Sequence, residues 1–212
     1  MSALRLAVLD CDGVVIDSFR PTLAATNRVL TRLGTRSISG EDFRANEMKD
    51  FLSFLRERGV NDNNHSEVLR YVIAEEFAEP DDFPVFPGIW PVLKRLRKLG
   101  LPVYLMSACE VSTTQAKLKQ TKGLSDHFAE VFCAERKSHR IAHLCHDMGI
   151  PTNQAVLISD MEKDFTDCRE DDREILRVGL VSEFSTAERL AAASDYLCQN
   201  HAELLAWLKS LP

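Results

Sequence analysis

Hydrophobic positions along this chain change period several times, and the changes predict its architecture. Leu4 to Leu9 is an apolar run rather than an alternating one, as expected of a strand covered on both faces. After Asp17-Ser18 the spacing becomes helical. Leu23, Thr26, Leu30 and Leu33 trace one face, Pro21 suits a first turn and Gly34 a C-terminal cap. Helical spacing resumes around Gly40 to Glu57 and again from His65 to Phe77, where Leu69, Val72, Ile73 and Phe77 repeat. The segment Glu79 to Gly88 holds three prolines and a glycine and reads as a linker or domain re-entry.

Beyond it, strand and helix patterns alternate. Helices are predicted near Trp90 to Lys98, Thr113 to Thr121, Arg136 to Met148, Thr186 to Ala193 and Ala202 to Leu211. Strands are predicted at Leu101 to Met106, Glu130 to Cys133, Ala155 to Ser159, Leu176 to Val181 and Tyr196 to Cys198. Such alternation predicts an α/β fold, a Rossmann-like parallel sheet flanked by helices and joined by right-handed crossovers. The all-helical stretch interrupts it. The expected domains are therefore an α/β core from 1–17 and 84–212, with an inserted helical domain at 18–83.

Composition narrows the function. A length of 212 residues fits one domain, or one domain carrying an insertion, and a hydrophobic fraction of 45% supports a real core. The net charge of −6 argues against nucleic acid as partner, yet leaves room for a small anionic substrate held by local cations and amides. The first apolar run is short and broken by Asp10 and Asp12, so neither a secretory segment nor a membrane span is expected. Six cysteines, none in a CxxC pair, point to free thiols in a reducing, cytoplasmic setting rather than to disulfides or zinc. No feature selects an oligomeric interface.

Ligands of open parallel sheets bind beyond the carboxyl ends of the strands. The polar residues predicted there are Asp10, Asp12, Ser107 and Asp160, and Lys137 opens the helix before the last of these strands. A lone Asp at a strand end is most often a turn or cap residue. Asp10-Cys11-Asp12-Gly13 differs, because burying two carboxylates together is costly unless a cation or shared proton compensates. Gly13 also permits close backbone approach to a ligand.

These residues resemble the motifs of the haloacid dehalogenase-like hydrolase superfamily. Asp10-Cys11-Asp12-Gly13-Val14-Val15-Ile16-Asp17-Ser18 is similar to its first motif, Ser107 after Val103-Tyr104-Leu105-Met106 to its second, Lys137 to its third, and Asp160 with Asp164 to its fourth. The resemblance implies that Asp10 attacks phosphorus and that Asp12 protonates the leaving oxygen, then activates water. It implies Mg2+ held by Asp10, Asp160 and the Asp12 carbonyl. It further implies that Ser107, with amides near Gly13 and Ala108, cradles the phosphoryl oxygens, that Lys137 pairs with Asp10 and the phosphate, and that Asp164 orients Lys137 or metal-bound water.

Three departures stand out. Ser159 replaces the glycine common before the fourth-motif Asp, and Ser138 replaces the proline common after the third-motif lysine, which leaves Arg136 and Arg140 as rival cations. Asp167 to Glu174 replaces a small-residue helix and reads as a solvated charged segment. Other features have plain explanations. His139, His143 and His146 share a metal-capable spacing but are expected on a solvent face. Cys11 is expected in the sheet packing, and Lys117 to Lys122 as a solvated basic helix.

The resemblance implies that the inserted helices are a cap that closes over the site, within which Lys49 is a candidate specificity residue. The expected function is Mg2+-dependent hydrolysis of a small phosphorylated metabolite. The alternatives are a phosphomutase, a phosphonate hydrolase that would use Lys49, and a non-catalytic binding protein. Asp12 argues against dehalogenase and phosphonate chemistry, whose branches lack the second acid. The complete acid set argues against a non-catalytic descendant.

Overall fold

The computed structural model describes residues 3–47, 57–59, 67, 70–71, 83–109 and 111–211. They belong to two compact units, Met1–Asp17 with Val85–Pro212, and Ser18–Pro84.

The first unit is built on six parallel strands: β1 (Leu6–Asp10), β2 (Val103–Ser107), β3 (Glu130–Cys133), β4 (Ala155–Ser159), β5 (Leu176–Leu180) and β6 (Tyr196–Cys198). Their order is β3-β2-β1-β4-β5-β6, so the chain starts in the middle and winds outward both ways. The burial patterns follow this order. β1 and β4 lie centrally and are buried at every residue, which is why their sequences are unbroken apolar runs. At the edge, β3 buries only Phe132.

Helix α3 (Ile89–Lys98) buries Ile89, Val92, Leu93 and Leu96 and carries Arg95, Arg97 and Lys98 in its last turn, where the helix dipole favours cations. It stops at Gly100, whose φ of +71° few other residues adopt cheaply. Arg95 Nε donates to the Leu208 carbonyl at 3.1 Å and ties α3 to α8 (His201–Ser210). Helices α4 (Val111–Lys119), α5 (Lys137–Asp147), α6 (Glu162–Glu170) and α7 (Ala187–Ala193) complete this unit's crossovers. α5 buries Ile141, Leu144 and Cys145 as expected, and His139, His143 and His146 are exposed.

The charged segment requires a correction. Asp167 to Glu170 belongs to α6, whose buried side is Asp164, Phe165, Asp167 and Cys168. Phe165 and Cys168 join Leu6, Val8, Met106, Ile141 and Leu157 in the core. Two of the four inward positions are acids, which hides the helical period from a hydrophobicity reading. Truncating Phe165 to alanine would cost about 3–5 kcal/mol.

The second unit contains α1 (Phe19–Arg32) and α2 (Gly40–Glu47). α1 buries Phe19, Ala25, Thr26, Val29 and Leu30, whereas Leu33, expected on the same face, is 39% exposed. Phe19 meets Phe43 edge-on at 5.6 Å. Asn27 locks the following loop by exchanging two hydrogen bonds with the backbone of Ile38, at 2.7 and 3.0 Å. The remainder of the helix expected up to Glu57, the helix expected over His65 to Phe77, and Lys49 lie outside the described residues. No helix among the described residues is long and apolar enough to cross a membrane.

Candidate active site

Strand register brings the expected residues to one sheet edge. Asp10 pairs with Met106 and Leu9 with Ile158. Asp10, Ser107 and Asp160 thus end or follow three adjacent strands, β1, β2 and β4, and all three are buried. Burying so many polar groups is tolerable only where each finds a partner.

Lys137, the first residue of α5, supplies the main partner. Its Nζ lies 2.5 Å from Asp10 Oδ2 and 2.5 Å from Asp164 Oδ2. The rival cations go elsewhere. Arg136 is exposed and pairs with Glu170 at 3.2 Å and Asp171 at 3.0 Å, while the Arg140 guanidinium stacks 3.8 Å from the Phe132 ring. Ser138, standing where a proline was expected, donates to Asp171 and fixes the start of α5. The amide of Cys11 donates to Asp10 Oδ1 at 2.8 Å.

Ser159, a departure from the fourth-motif pattern, joins the acid cluster. Its hydroxyl lies 2.6 Å from Asp164 Oδ2 and 3.0 Å from Asp10 Oδ2, and it accepts from the Met161 amide at 3.1 Å. One hydroxyl has one proton, so it serves one carboxylate at a time, Asp164 being the nearer. Burial is the largest influence on Asp10 and pushes its carboxyl up to about 7; the Lys137 charge opposes this, and Asp164 and Asp12 add to it. Burial works against the charge of Lys137 too, yet Asp10 and then Asp164 hold its ammonium above the ordinary lysine value.

Asp160 has less support. Ser182, beyond β5, donates to Asp160 Oδ2 at 2.5 Å, and its own oxygen accepts from the Phe184 amide at 2.9 Å. Asp160 Oδ1 is buried with no hydrogen-bond partner. Burial raises the Asp160 carboxyl well above its usual range, and the charge of Asp10 raises it further. Gly13 explains how Asp160 fits: at φ +73°, a Cβ here would lie 1.8 Å from Asp160 Oδ2. The Gly13 amide, expected to cradle phosphate, already donates to the Ile16 carbonyl at 2.9 Å. What Gly13 contributes is the space of its missing side chain.

This arrangement fits a hard divalent cation. Asp10, Asp160 and Asp164 are buried together, Lys137 pairs with Asp10 and Asp164, and Asp160 Oδ1 is an orphaned acceptor. The oxygens of Asp10, Asp160 and the Asp12 carbonyl are the donor type that magnesium takes. Among the described residues no three His, Cys, Asp or Glu side chains form a metal-holding group, so two carboxylates and a carbonyl would share that task.

Asp12 meets an unexpected partner. Lys117 on α4 reaches Asp12 Oδ1 at 3.0 Å and is 2% exposed, which corrects its reading as part of a solvated basic helix. A signal was present: Thr113, Thr114, Lys117 and Leu118 recur at helical spacing and form the inner face of α4. Ser182, by contrast, lies in a loop with no pattern to mark it. Cys11 is buried as expected, and burial raises its thiol above the ordinary value. Ser107 Oγ accepts from the Cys109 amide at 3.1 Å, and Ala108 beside it is exposed. A cavity of about 580 Å³ opens at the other end of the sheet, against Leu4, Leu101, Leu176, Tyr196 and Trp207, away from the acids.

A Rossmann-like sheet with an acid set and a lysine at its carboxyl edge places a polar site where open α/β sheets bind their ligands. The haloacid dehalogenase-like hydrolase model matches residues 4–166, and the chain belongs to that family. Among curated proteins no match is found. The fold is similar to that of a haloacid dehalogenase-like family hydrolase from Streptococcus pneumoniae, with a TM-score of 0.85, 21% identity, and 98% of this chain and 99% of the other covered. A predicted phosphatase from Clostridium acetobutylicum gives 0.82 at 18% identity, covering 99% and 100%. A predicted phosphoglycolate phosphatase from Haemophilus somnus gives 0.80 at 15% identity, covering 98% and 99%.

Proposed function

We propose that this hydrolase is a phosphomonoesterase that cleaves a small phosphorylated metabolite through an aspartyl-phosphate on Asp10. The observation that carries the reading is the Asp10 carboxylate, buried at the end of β1 and held 2.5 Å from Lys137 beside Asp160. A carboxylate fixed by a cation is an aimed nucleophile, and splitting the displacement in two lowers each barrier. Asp12 gives a proton to the leaving oxygen and later takes one from water. Ser107 and the Ala108 amide hold phosphoryl oxygens, and Lys137 offsets charge between Asp10 and the phosphate. Asp164 holds Lys137 in place.

Asp10, Asp160 and the Asp12 carbonyl would bind Mg2+, which supplies charge screening between nucleophile and phosphate. As the family resemblance implies, the inserted unit would serve as a cap domain that selects the substrate, with Lys49 a candidate specificity residue. The names of two structural neighbours, a predicted phosphatase and a predicted phosphoglycolate phosphatase, support an ester of this class.

The test is phosphate release from an aryl phosphate with and without Mg2+, followed by a panel of sugar phosphates, phosphoglycolate and nucleoside monophosphates. Release is expected to require Mg2+ and to vanish in Asp10→Asn. Full activity in that variant would sink the covalent route.

A further inference from the structure

We propose that Lys117 is a positioning residue for the acid–base carboxylate Asp12, holding one of its oxygens so that the other faces the leaving group. The proposal rests on the phosphatase reading above and assigns α4 a part in it.

A lysine that is 2% exposed is costly unless it is paired, and Asp12 Oδ1, 105 residues away in sequence, accepts from its ammonium at 3.0 Å. Asp12 sits on a loop two residues beyond β1, where a short side chain has several rotamers open to it. Its side chain is 26% exposed, unlike those of Asp10 and Asp160. Among the described residues, Asp12 Oδ2 accepts no hydrogen bond. The two oxygens are therefore distinguished: Oδ1 is gripped from within the fold and Oδ2 is left for chemistry.

That division suits proton transfer. As a bond forms from Asp10 to phosphorus, the bond from phosphorus to the ester oxygen breaks and its electron pair goes to the leaving oxygen. The leaving oxygen takes the proton from Asp12 Oδ2. The Lys117 N–H can donate to Oδ1 when the carboxyl is neutral as well as when it is ionised, more strongly in the ionised form, because Oδ1 remains an acceptor in both. Lys117 thus fixes orientation without itself exchanging a proton with substrate.

Positioning of an acid matters most when the leaving oxygen is strongly basic. Glycerol phosphate expels an alkoxide that needs a proton, whereas 4-nitrophenyl phosphate expels a stable phenolate. The readout is kcat/KM, which covers the steps up to loss of the leaving group. In Lys117→Met, kcat/KM for glycerol phosphate is expected to fall at least about tenfold more than for 4-nitrophenyl phosphate, out of the ~10²–10⁴ that acid–base catalysis supplies. Lys117→Arg, which keeps a donor, is expected to regain part of the alkyl-ester rate.

Equal losses on both esters, or no loss, would overturn the positioning role and leave Lys117 a packing ion pair. If Lys117→Met does not fold, the same comparison is read from Lys117→Arg against wild type, where a loss confined to the alkyl ester supports the role and an equal loss overturns it. A wild type that cleaves neither ester, or full activity in Asp10→Asn, overturns the phosphatase reading and this inference together. Activity abolished by Asp10→Asn alongside a substrate-blind Lys117→Met overturns only the inference.

Discussion

The Lys137 ammonium stands 2.5 Å from the carboxylates of both Asp10 and Asp164, and Ser159 reaches the same two oxygens. One cation therefore holds together groups from β1, α5 and α6. Removing it would leave two buried carboxylates facing each other. Lys137→Met is expected to lose about 3–5 kcal/mol of stability, as when a buried pair loses one member. It is also expected to lower phosphate release by more than about 10²-fold. Urea unfolding and steady-state rates check both, and an unchanged unfolding midpoint would rule out the central role given to this lysine.

Asp160 offers a separate check on metal binding. Mg2+ is expected to raise the thermal midpoint of the wild type in proportion to ln[Mg2+], because it binds the folded state alone. Asp160→Asn should show no such rise. In chelator it should be at least as stable as wild type, since an amide replaces a carboxylate with an orphaned oxygen. A wild type indifferent to Mg2+ in calorimetry would count against the cation site.

Gly13 is tested by its smallest neighbour in the amino-acid series. Gly13→Ala places a methyl 1.8 Å from Asp160 Oδ2 and a side chain at φ +73°. The backbone conformation alone costs about 1 kcal/mol or more, and Asp160 must move. The expected result is a modest loss of stability together with loss of the Mg2+-induced rise in midpoint. Retention of that rise would show that Asp160 does not need its place against the Gly13 backbone.

His201 gives the pH dependence of folding a defined sign. Burial lowers its imidazole below the ordinary 6.5, although the hydrogen bond to the Val14 carbonyl pulls the other way. The unfolded chain therefore takes up a proton before the folded one does. Its stability contribution is present above pH 6.5 and is lost as pH falls from there through the lowered native value. Wild type should lose stability relative to His201→Gln across that window, in parallel denaturant titrations. Parallel curves for the two proteins would refute the assignment.

Much of the architecture was legible because its signals are hydrophobic. β1 and β4 are buried on both faces and read as apolar runs, and α5 shows Ile141, Leu144 and Cys145 at helical spacing. The acids at the strand ends followed once the strands were placed. Legibility failed where charge is used indoors. α6 turns Asp164 and Asp167 inward, and Lys117 occupies an inner position of α4, so hydropathy marks both as surface. Gly13 illustrates another limit. Its residue type announces freedom of the backbone, but only coordinates reveal that its amide is spent on Ile16 and its bare Cα on Asp160.

The pairing of Ile16 with Val85 carries a consequence for how such a chain can diversify. These residues form an antiparallel bridge, and the Phe86 amide donates to the Val15 carbonyl at 3.1 Å. The exit to the inserted unit and the return from it are thus stitched side by side within the sheet-bearing unit. Directly opposed residues in such a bridge lie only about 4.5–5.5 Å apart. Whatever is spliced between them, a long helical segment or a short turn, presents the same two ends to the same socket. The inserted segment can then be exchanged as a module while β1 and its acids keep their place in the sheet.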